Sequence, residues 1–234
     1  MKFGQLKSRS LLVGLTMAAL LSVSVSVAVA ADKVVVIPLY RSESVAAIST
    51  VTSAGRVWMD RNLGAIRVAG SPSDSLAYGW LYQWGRSADG HESRDSPTTT
   101  TLADNPNHGS FITVDALPYD WRSNPDGTLW ASESSLNNPC PAGFRLPTSA
   151  EWETERASWS SNDAAGAIAS PLKLVLAGNR NYPDGIISNA GSYGLYWSGT
   201  VNGSSVYHLY FDSGSSYLSN NARSYGFSVR CLKD

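Results

Sequence analysis

The sequence predicts an α+β protein with a high proportion of loops and an antiparallel sheet near its C-terminus. Three segments at that end, residues 195–200, 205–212 and 226–232, alternate apolar and polar side chains, which is typical of half-buried strands. A helix start with capping residues lies upstream, at residues 147–151. The composition, with 20 glycines and 16% charged residues, is typical of loop-rich exported proteins rather than helical cytoplasmic ones.

Residues 1–30 have the features of a signal peptide. Three basic residues precede an apolar run over 11–29, and Ala28 and Ala30 supply the small residues that a signal peptidase requires. We therefore expect cleavage before Ala31 and an exported protein, secreted or at the cell surface, with the periplasm as the other compartment. No membrane span is expected after cleavage. An uncleaved membrane anchor is the alternative, because the apolar run is long for a signal peptide.

The predicted mature chain is weakly acidic. Removal of residues 1–30 takes away three of the 18 Lys+Arg and none of the 19 Asp+Glu, which leaves 15 basic and 19 acidic side chains and a net charge of −4. Binding to a phosphate backbone requires a clustered basic surface, and the mature sequence has no run of Lys or Arg. We therefore expect no nucleic-acid partner.

Two cysteines, Cys140 and Cys231, remain in the predicted mature chain. An even number of cysteines in an exported chain favours a disulfide. Closing a loop of about ninety residues would stabilise the fold by roughly 4–5 kcal/mol in the chain-entropy model. Two buried free thiols are the alternative.

The N-terminal part of the mature chain differs in composition from the rest. Residues 33–40 are apolar and β-branched and predict a strand, with Pro38 at an edge or a break. Residues 41–55 are small and polar and indicate a linker or a short irregular arm. The predicted division is a signal peptide over 1–30, an N-terminal strand and linker over 31–55, and one domain over 56–234.

The first half of that domain predicts little regular structure. Residues 71–90 favour a short helix with Ser73 or Asp74 as its N-cap. Residues 87–137 are rich in Asp, Asn, Thr, Pro and Gly, and they predict a long loop held in place by spaced apolar anchors. The expected anchors are Phe111, Leu117, Trp121 and Trp130.

The best-defined helix begins after Pro147, with Thr148 or Ser149 as its N-cap. Thr148 and Glu151 have the spacing of a capping box. Two further glutamates, Glu153 and Glu155, follow in the first turns. Carboxylates at a helix N-terminus offset its unpaired N–H groups, so these residues need no catalytic explanation.

Seven segments resemble, in the same order, those of a family of secreted bacterial proteins, the Fibrobacter succinogenes major paralogous domain. They are VWMDRNLGA, AYGWLYQWGR, DGHESR, NNPCPAGFRLPTSAEW, SPLKLVLAG, YWSGT and SVRCLKD, and they extend over residues 56–234. The resemblance implies a C-type lectin-like fold, a single long-loop domain whose N- and C-terminal strands lie close together. It also implies a disulfide from the region of a helix to the last strand, which would pair Cys140 with Cys231.

Residues 201–226, between YWSGT and FSVRCL, are similar to the variable segments of C-type lectin-like proteins of diversity-generating retroelements. Those segments are rich in Ser, Asn, Tyr, Gly and Asp, because asparagine codons of a template are randomised. The resemblance implies that residues 201–226 are one diversified outcome. A polar surface segment without a ligand is the alternative, because Ser and Asn are ordinary loop residues.

We expect the outer face of the C-terminal sheet, with its loops, to contact a protein or glycan ligand at the cell exterior. Tyrosine offers a large contact area for little loss of rotamer entropy, and Ser, Asn and Gly adapt their hydrogen bonding, a combination that antibody paratopes also use. A structural component of the cell envelope is the competing function. The expected contact residues are Asn202, Ser204, Ser205, Tyr207, His208, Tyr210, Asp212, Ser213, Ser215, Ser216, Tyr217, Ser219, Asn220, Asn221 and Tyr225.

Catalysis is not expected. FRLPTSAEWE is also similar to formylglycine-generating enzymes, but those need a pair of cysteines near the C-terminus to hold copper, and Cys231 has no such neighbour. The histidines, His91, His108 and His208, lack the spacing of paired metal ligands, and no G-x-S-x-G segment is present. His208 alternates with Tyr207 in a predicted strand, so we expect a surface or groove-lining side chain.

No cofactor is expected. Lectins of this fold that bind sugar through calcium resemble one another in Glu-Pro-Asn, Gln-Pro-Asp and Trp-Asn-Asp motifs, which the chain lacks. Residues 104–109 and 123–127 are rich in Asp and Asn, whose oxygens suit a structural calcium ion. Turn formation explains the same composition.

Five of the eight tryptophans lie in the family-like segments, and we assign four of these to the core: Trp58, Trp84, Trp152 and Trp197. The sequence does not distinguish a core tryptophan from an exposed one that stacks on a sugar.

Overall fold

The computed structural model describes residues 24–30, 33–39 and 48–234. The chain divides into two units, Met1–Ala47 and Ile48–Asp234. No helix of the described residues combines the length and the apolar character that crossing a bilayer requires.

In the first unit, strand β1 (Ser24–Ala30) pairs antiparallel with β2 (Lys33–Leu39). The second strand is the one that the β-branched sequence predicts. The predicted signal peptide falls mostly outside the described residues, since only the segment in β1 is among them. The predicted cleavage site before Ala31 also lies outside them.

The second unit is rich in short strands and has only two α-helices. Its helices are α1 (Ser149–Ala157) and α2 (Ala164–Ala169), and a 3-10 turn forms at Ser75–Ala77. Its strands are β3 (Thr50–Ser53), β4 (Arg56–Met59), β5 (Tyr82–Gln83), β6 (Thr98–Thr99), β7 (Phe111–Ile112), β8 (Phe144–Arg145), β9 (Asn179–Arg180), β10 (Ile187–Ser188), β11 (Gly194–Asn202), β12 (Ser205–Phe211), β13 (Ser216–Ala222), β14 (Gly226–Phe227) and β15 (Leu232–Lys233). The α+β class is therefore confirmed, with more sheet than helix.

The two ends of the second unit meet in one sheet of order β3-β4-β15-β8. Leu232 of the last strand lies opposite Trp58 on one side and Arg145 on the other. Strand β3 lies in the predicted linker, so the unit begins before the expected start at residue 56. Residues 50–53 belong to the unit because a tight turn joins β3 to β4 as a hairpin. In that turn Ala54 and Gly55 both have positive φ.

The disulfide between Cys140 and Cys231 is present, with the two Cα atoms 5.8 Å apart. It joins the segment before β8 to the segment that enters β15, across 91 positions of sequence. The prediction of a disulfide is confirmed, and the alternative of two free thiols is wrong, because the described part of the chain holds no free cysteine.

Helix α1 begins as the sequence predicts. The Thr148 hydroxyl accepts a hydrogen bond from the Glu151 N–H at 3.2 Å, and the Glu151 carboxylate accepts one from the Thr148 N–H at 2.8 Å. Both halves of the capping box are thus formed. Trp152, one position further, is fully buried and donates its indole N–H to the Trp197 carbonyl, which fixes α1 against β11.

The long loop over 87–137 is held by buried side chains, as predicted, at Phe111, Trp121 and Trp130. Leu117 is not an anchor, because it lies at the tip of a turn closed by the Tyr119 N–H and is 81% exposed. Two short strands within the loop, β6 and β7, pair in parallel.

Strands β11, β12 and β13 form an antiparallel sheet in that order. The third strand is not the predicted segment 226–232, whose first residues form β14 and pair with β5 and β9 instead. The strand that was missed, SYLSNNA, is mostly polar and so has a weak β propensity. Polar residues suit its position, because β13 is an edge strand.

Both faces of this sheet are covered over most of its area. On one face Leu209 and Phe211 pack with Trp152 of α1, and on the other Val206 and Trp197 belong to a second core cluster. The predicted outer face is therefore available only along the edge strand β13 and at the turns. The coverage of both faces determines which of the expected contact residues reach solvent.

Candidate functional site

The expected contact residues fall into three groups by exposure. The exposed ones are Asn202, Ser204, Ser213, Tyr217 and Asn220. The half-buried ones are Ser205, Tyr207, Tyr210, Asp212, Ser215, Ser219, Asn221 and Tyr225, and the buried ones are His208 and Ser216. The exposed and half-buried residues lie at the turn between β11 and β12, in β12, at the turn to β13, in β13 and, for Tyr225, just after β13.

The prediction that His208 and Ser216 lie on the contact surface is wrong. His208 is 1% exposed and packs edge-on to Trp197 and against Phe227, whose ring centre is 5.0 Å away. Ser216 is 3% exposed, and its hydroxyl donates to Asn162 at 2.5 Å. Both lie on sheet faces that other elements cover.

Burial also sets the charge of His208. Loss of hydration lowers its pKa to about 4, because the protein interior disfavours the imidazolium ion. Its Nδ1 has no hydrogen-bond partner in the described part of the chain. The side chain is therefore a neutral core residue at physiological pH.

Three tyrosines form a row of contacting rings across one end of the sheet, which we call the tyrosine ladder: Tyr193, Tyr210 and Tyr217. The ring of Tyr193 is tilted by 60° against that of Tyr210, so only the other pair is stacked. The rings of Tyr210 and Tyr217 are stacked, with centres 4.7 Å apart and an interplanar angle of 27°, and the ring of Tyr193 is 5.3 Å from that of Tyr210. Tyr193 and Tyr217 are 36% and 48% exposed. The ladder thus presents rigid aromatic area to solvent.

Tyr193 was not among the expected contact residues, because it precedes the segment that suggested them. Its position just before the YWSGT strand is the only indication in the sequence. The next tyrosine of the ladder, Tyr210, is held in place by a hydrogen bond, which its hydroxyl donates to Asp212 at 2.7 Å. Burial, followed by this bond to a carboxylate, raises the pKa of Tyr210.

The turn between β12 and β13 is closed by Asp212. Its carboxylate accepts from the N–H groups of Gly214 and Ser215, both at 2.8 Å, as in an Asx turn. These bonds, after the one from Tyr210, keep the pKa of Asp212 below its usual value. The exposed Ser213 therefore sits on a turn whose backbone is fixed.

The hairpin turn predicted at Asn202-Gly203 is present between β11 and β12, with Gly203 and Ser204 as its two central residues. Asn202 lies opposite Ser205, and Gly203 has the positive φ, 60°, that such a turn requires. The Gly203 carbonyl accepts a bond from the Arg223 guanidinium at 3.1 Å. Arg223 in turn is buried beside Asp120, so the hairpin is attached to the core.

Tyr225 belongs to a different aromatic group. Its ring stacks on Phe227 with centres 5.3 Å apart, and it meets Tyr182 edge-on at 4.8 Å. Tyr182 also contacts Tyr119. The expected contact residues are thus divided between the ladder end and the Tyr225 end of the surface.

Among the described residues one cluster has the composition of a cation site: Asp89, His91 and Glu92. His91 Nε2 accepts from the Gln83 N–H at 3.1 Å, so its proton is on Nδ1, which donates to Asp89 at 2.8 Å. Although burial opposes it, hydrogen bonds from His91 and Arg86 lower the pKa of Asp89 to about 2. Both ring nitrogens are therefore in use, and the cluster is explained as an internal ion-pair network.

The Asp- and Asn-rich segments considered for calcium meet through hydrogen bonds. The Asp104 carboxylate accepts from the backbone N–H of Asn124 at 2.9 Å and from its side-chain amide at 2.5 Å. Arg122 donates to the Asp104 carbonyl. These contacts explain the composition by loop anchoring.

The glutamates of α1 also have structural partners. Although burial opposes it, hydrogen bonds from Arg145 and Thr148 lower the pKa of Glu151 to about 2. Glu153 pairs with Arg156 at 2.5 Å, and Glu155 is fully buried and accepts from the Trp159 indole.

Comparison of the chain with protein-family models, with curated proteins and with solved structures finds no match. Any assignment of function therefore depends on the geometry of the surface itself.

Proposed function

We propose that this protein is an exported, non-catalytic binding protein of the C-type lectin-like fold. It presents the edge strand β13, its turns and the tyrosine ladder to a protein or glycan ligand outside the cell. The observation that carries the proposal is the ladder, because a stacked tyrosine pair with the exposed Ser213 in the adjoining turn offers the kinds of side chain that binding surfaces favour.

The placement of the chain ends supports the fold. The strands at the two ends of the second unit are neighbours in one sheet, and Trp58 lies opposite Leu232. The disulfide links the segment before the capped helix to the last strand. Both features are those that the family resemblance implies.

The rigidity of the surface supports a binding role. Asp212 closes one turn, and Arg223 holds the other through Gly203. A surface that is already ordered loses less conformational entropy on binding, which improves affinity. This fixed backbone carries the exposed Asn202, Ser213 and Asn220. On binding a ligand, only their side chains would have to change conformation.

The absence of free thiols supports a non-catalytic role. Cys140 and Cys231 are joined, so the described residues offer no thiolate for copper chemistry of the formylglycine-generating kind. The Asp89, His91 and Glu92 cluster is engaged in internal hydrogen bonds, as are Glu151 and Glu153 of α1.

The test is a binding screen of the purified protein against arrays of extracellular proteins and of glycans. A ligand of this surface should bind about tenfold more weakly to Tyr217→Ala, because this residue supplies exposed aromatic area. Leu136→Ala is the matched control, since Leu136 is 86% exposed and lies outside the surface. A ligand whose affinity is the same for Tyr217→Ala and Asn220→Ala as for the unaltered protein would contradict the proposal.

We also propose that residues 201–226 are diversified by a retroelement. Both ends of the segment are attached to the scaffold, so substitutions at its exposed positions leave the fold intact. The test is the DNA beside the gene, where a repeat of the 3′ end that differs at adenines should accompany a reverse transcriptase. Without that repeat, the segment is a fixed binding surface.

A further inference from the structure

Trp80 differs from the other seven tryptophans in its hydrogen bonding. The others donate their indole N–H to acceptors in the protein: Trp58, Trp84, Trp121, Trp130, Trp152, Trp159 and Trp197. The Trp80 N–H has no acceptor within the part of the chain that the structure describes, and the side chain is 41% exposed. An aromatic ring with an open polar group at the surface is available to a ligand.

The ring of Trp80 is held in a fixed position. It lies directly over Gly64, which has a φ of 76°, and a Cβ added there would overlap the indole. The Trp80 backbone N–H donates to the Leu63 carbonyl at 3.0 Å, which ties the two segments together. The glycine therefore serves as a flat support for one side of the ring.

Trp80 borders a shallow groove of about 420 Å³. Ile66 and Leu76, which are 72% and 44% exposed, supply apolar walls, and Ser75, Ser93 and Asp95 supply hydroxyl and carboxylate groups. None of these residues is among the expected contact residues of the C-terminal surface. The groove is thus a separate feature of the molecule.

The groove carries little net charge. Arg94 is its only cation among the lining residues, and its guanidinium donates to the carbonyls of Gly79 at 2.9 Å and Ala177 at 2.5 Å. It also lies over the Tyr78 ring. Asp95, which accepts a bond from Ser93, supplies the balancing negative charge.

We propose that this groove is a binding site for a neutral carbohydrate. The C–H face of a pyranose stacks on the Trp80 ring, and its hydroxyls bond to the indole N–H, to Ser75 and to Asp95. An apolar side chain would cover the same ring but would leave the indole N–H without a partner, which costs free energy. An anion would lie next to the Asp95 carboxylate, beside an arginine that the Gly79 and Ala177 carbonyls already hold.

The experiment follows the indole N–H signals of the ¹⁵N-labelled protein during titration with soluble oligosaccharides. The probes are neutral oligomers of β-glucan, xylan, mannan and chitin, with an oligogalacturonate as the anionic comparison. Trp80→Phe identifies the Trp80 signal among those of the eight tryptophans. We expect at least one neutral oligomer to shift that signal and the oligogalacturonate to leave it unchanged.

Variants then locate the binding. Trp80→Ala should weaken binding by about tenfold or more, and Trp80→Phe by less, because phenylalanine keeps a platform but lacks the N–H. Asp95→Asn is a second test at an exposed position, and it should weaken binding without affecting the fold. Leu136→Ala, at an exposed leucine outside both the groove and the C-terminal surface, should leave the affinity unchanged.

Three results would overturn the proposal. These are no shift of the Trp80 signal with any neutral oligomer, equal affinity of Trp80→Ala and the unaltered protein, or a shift only with the oligogalacturonate. Loss of binding in Tyr217→Ala, with Trp80→Ala unaffected, would place the sugar on the C-terminal surface instead and would also overturn it.

Discussion

Arg223 donates to the Asp120 carboxylate at 3.0 Å across 103 positions of sequence, and both side chains are almost completely buried. The same guanidinium lies over the Trp84 ring and holds the Gly203 carbonyl at the tip of the hairpin. One ion pair therefore connects the long loop, the core and the proposed binding surface. Buried charges of this kind are strongly destabilising when one partner is removed.

We predict that Arg223→Met lowers the free energy of unfolding by about 3 kcal/mol, because it leaves the Asp120 carboxylate buried without its partner. Denaturant unfolding measures the effect. The matched control is Arg67→Met, since Arg67 pairs with Asp74 at the same 3.0 Å but is 58% exposed, and its loss should be smaller. In the double variant Asp120→Asn with Arg223→Met, the loss should be less than the sum of the single losses. Additive losses would show that the two residues are not coupled.

Stability should depend on His208 below neutral pH. Burial lowers the pKa of His208 to about 4 in the folded state, whereas the unfolded side chain titrates near its ordinary value of 6.5. The unfolded state therefore binds the proton first, so the contribution is complete above pH 6.5 and is lost as the pH falls towards 4. Over that range the loss amounts to about 3 kcal/mol.

His208→Leu should remove this part of the pH dependence, because leucine cannot be protonated. It should also be tolerated near neutral pH, at a cost below about 1.5 kcal/mol, because Nδ1 forms no hydrogen bond that leucine would lose. Unfolding by urea at a series of pH values tests both expectations. His108→Gln, at an exposed position, is the control and should keep the full slope. The same slope in His208→Leu would assign the effect to other titratable groups.

Reduction of the Cys140–Cys231 bond should lower the free energy of unfolding by about 4 kcal/mol, because the bond closes a long loop in the unfolded chain. Thermal unfolding of Cys140→Ser/Cys231→Ser, compared with the oxidised protein, gives the value. Mass spectrometry of non-reduced peptides should link the two cysteine-containing fragments. Free thiols at both positions in the purified, unreduced protein would contradict the expectation.

Gly64→Ala should destabilise the protein by more than Gly143→Ala. Both glycines have positive φ, 76° and 81°, so alanine costs about 1 to 2 kcal/mol at each from backbone strain alone. Only at Gly64 does the new Cβ also meet the Trp80 ring. The difference in unfolding free energy between the two variants measures the support that Gly64 gives to the ring. Equal losses would mean that Trp80 moves aside without cost.

The sequence by itself determined the features that depend on neighbouring residues. The Thr148–Glu151 capping box is decided within four positions of chain, and the Asn202-Gly203 turn within two, so their residue types are sufficient to predict them. Alternation in β11 and β12 likewise predicts which side chains share a face. The disulfide was predictable because only two cysteines exist.

Only the tertiary structure decided which faces are covered. Alternation shows that His208 and Tyr207 point to opposite sides of β12, but Trp197 and Phe227, brought together from distant parts of the chain, determine that His208 is buried. Contacts between distant parts of the chain likewise determine that Asp120 pairs with Arg223 and that Trp80 stays exposed. Burial is a property of long-range packing, in which each side chain competes with all others for the core, and local composition does not record the result.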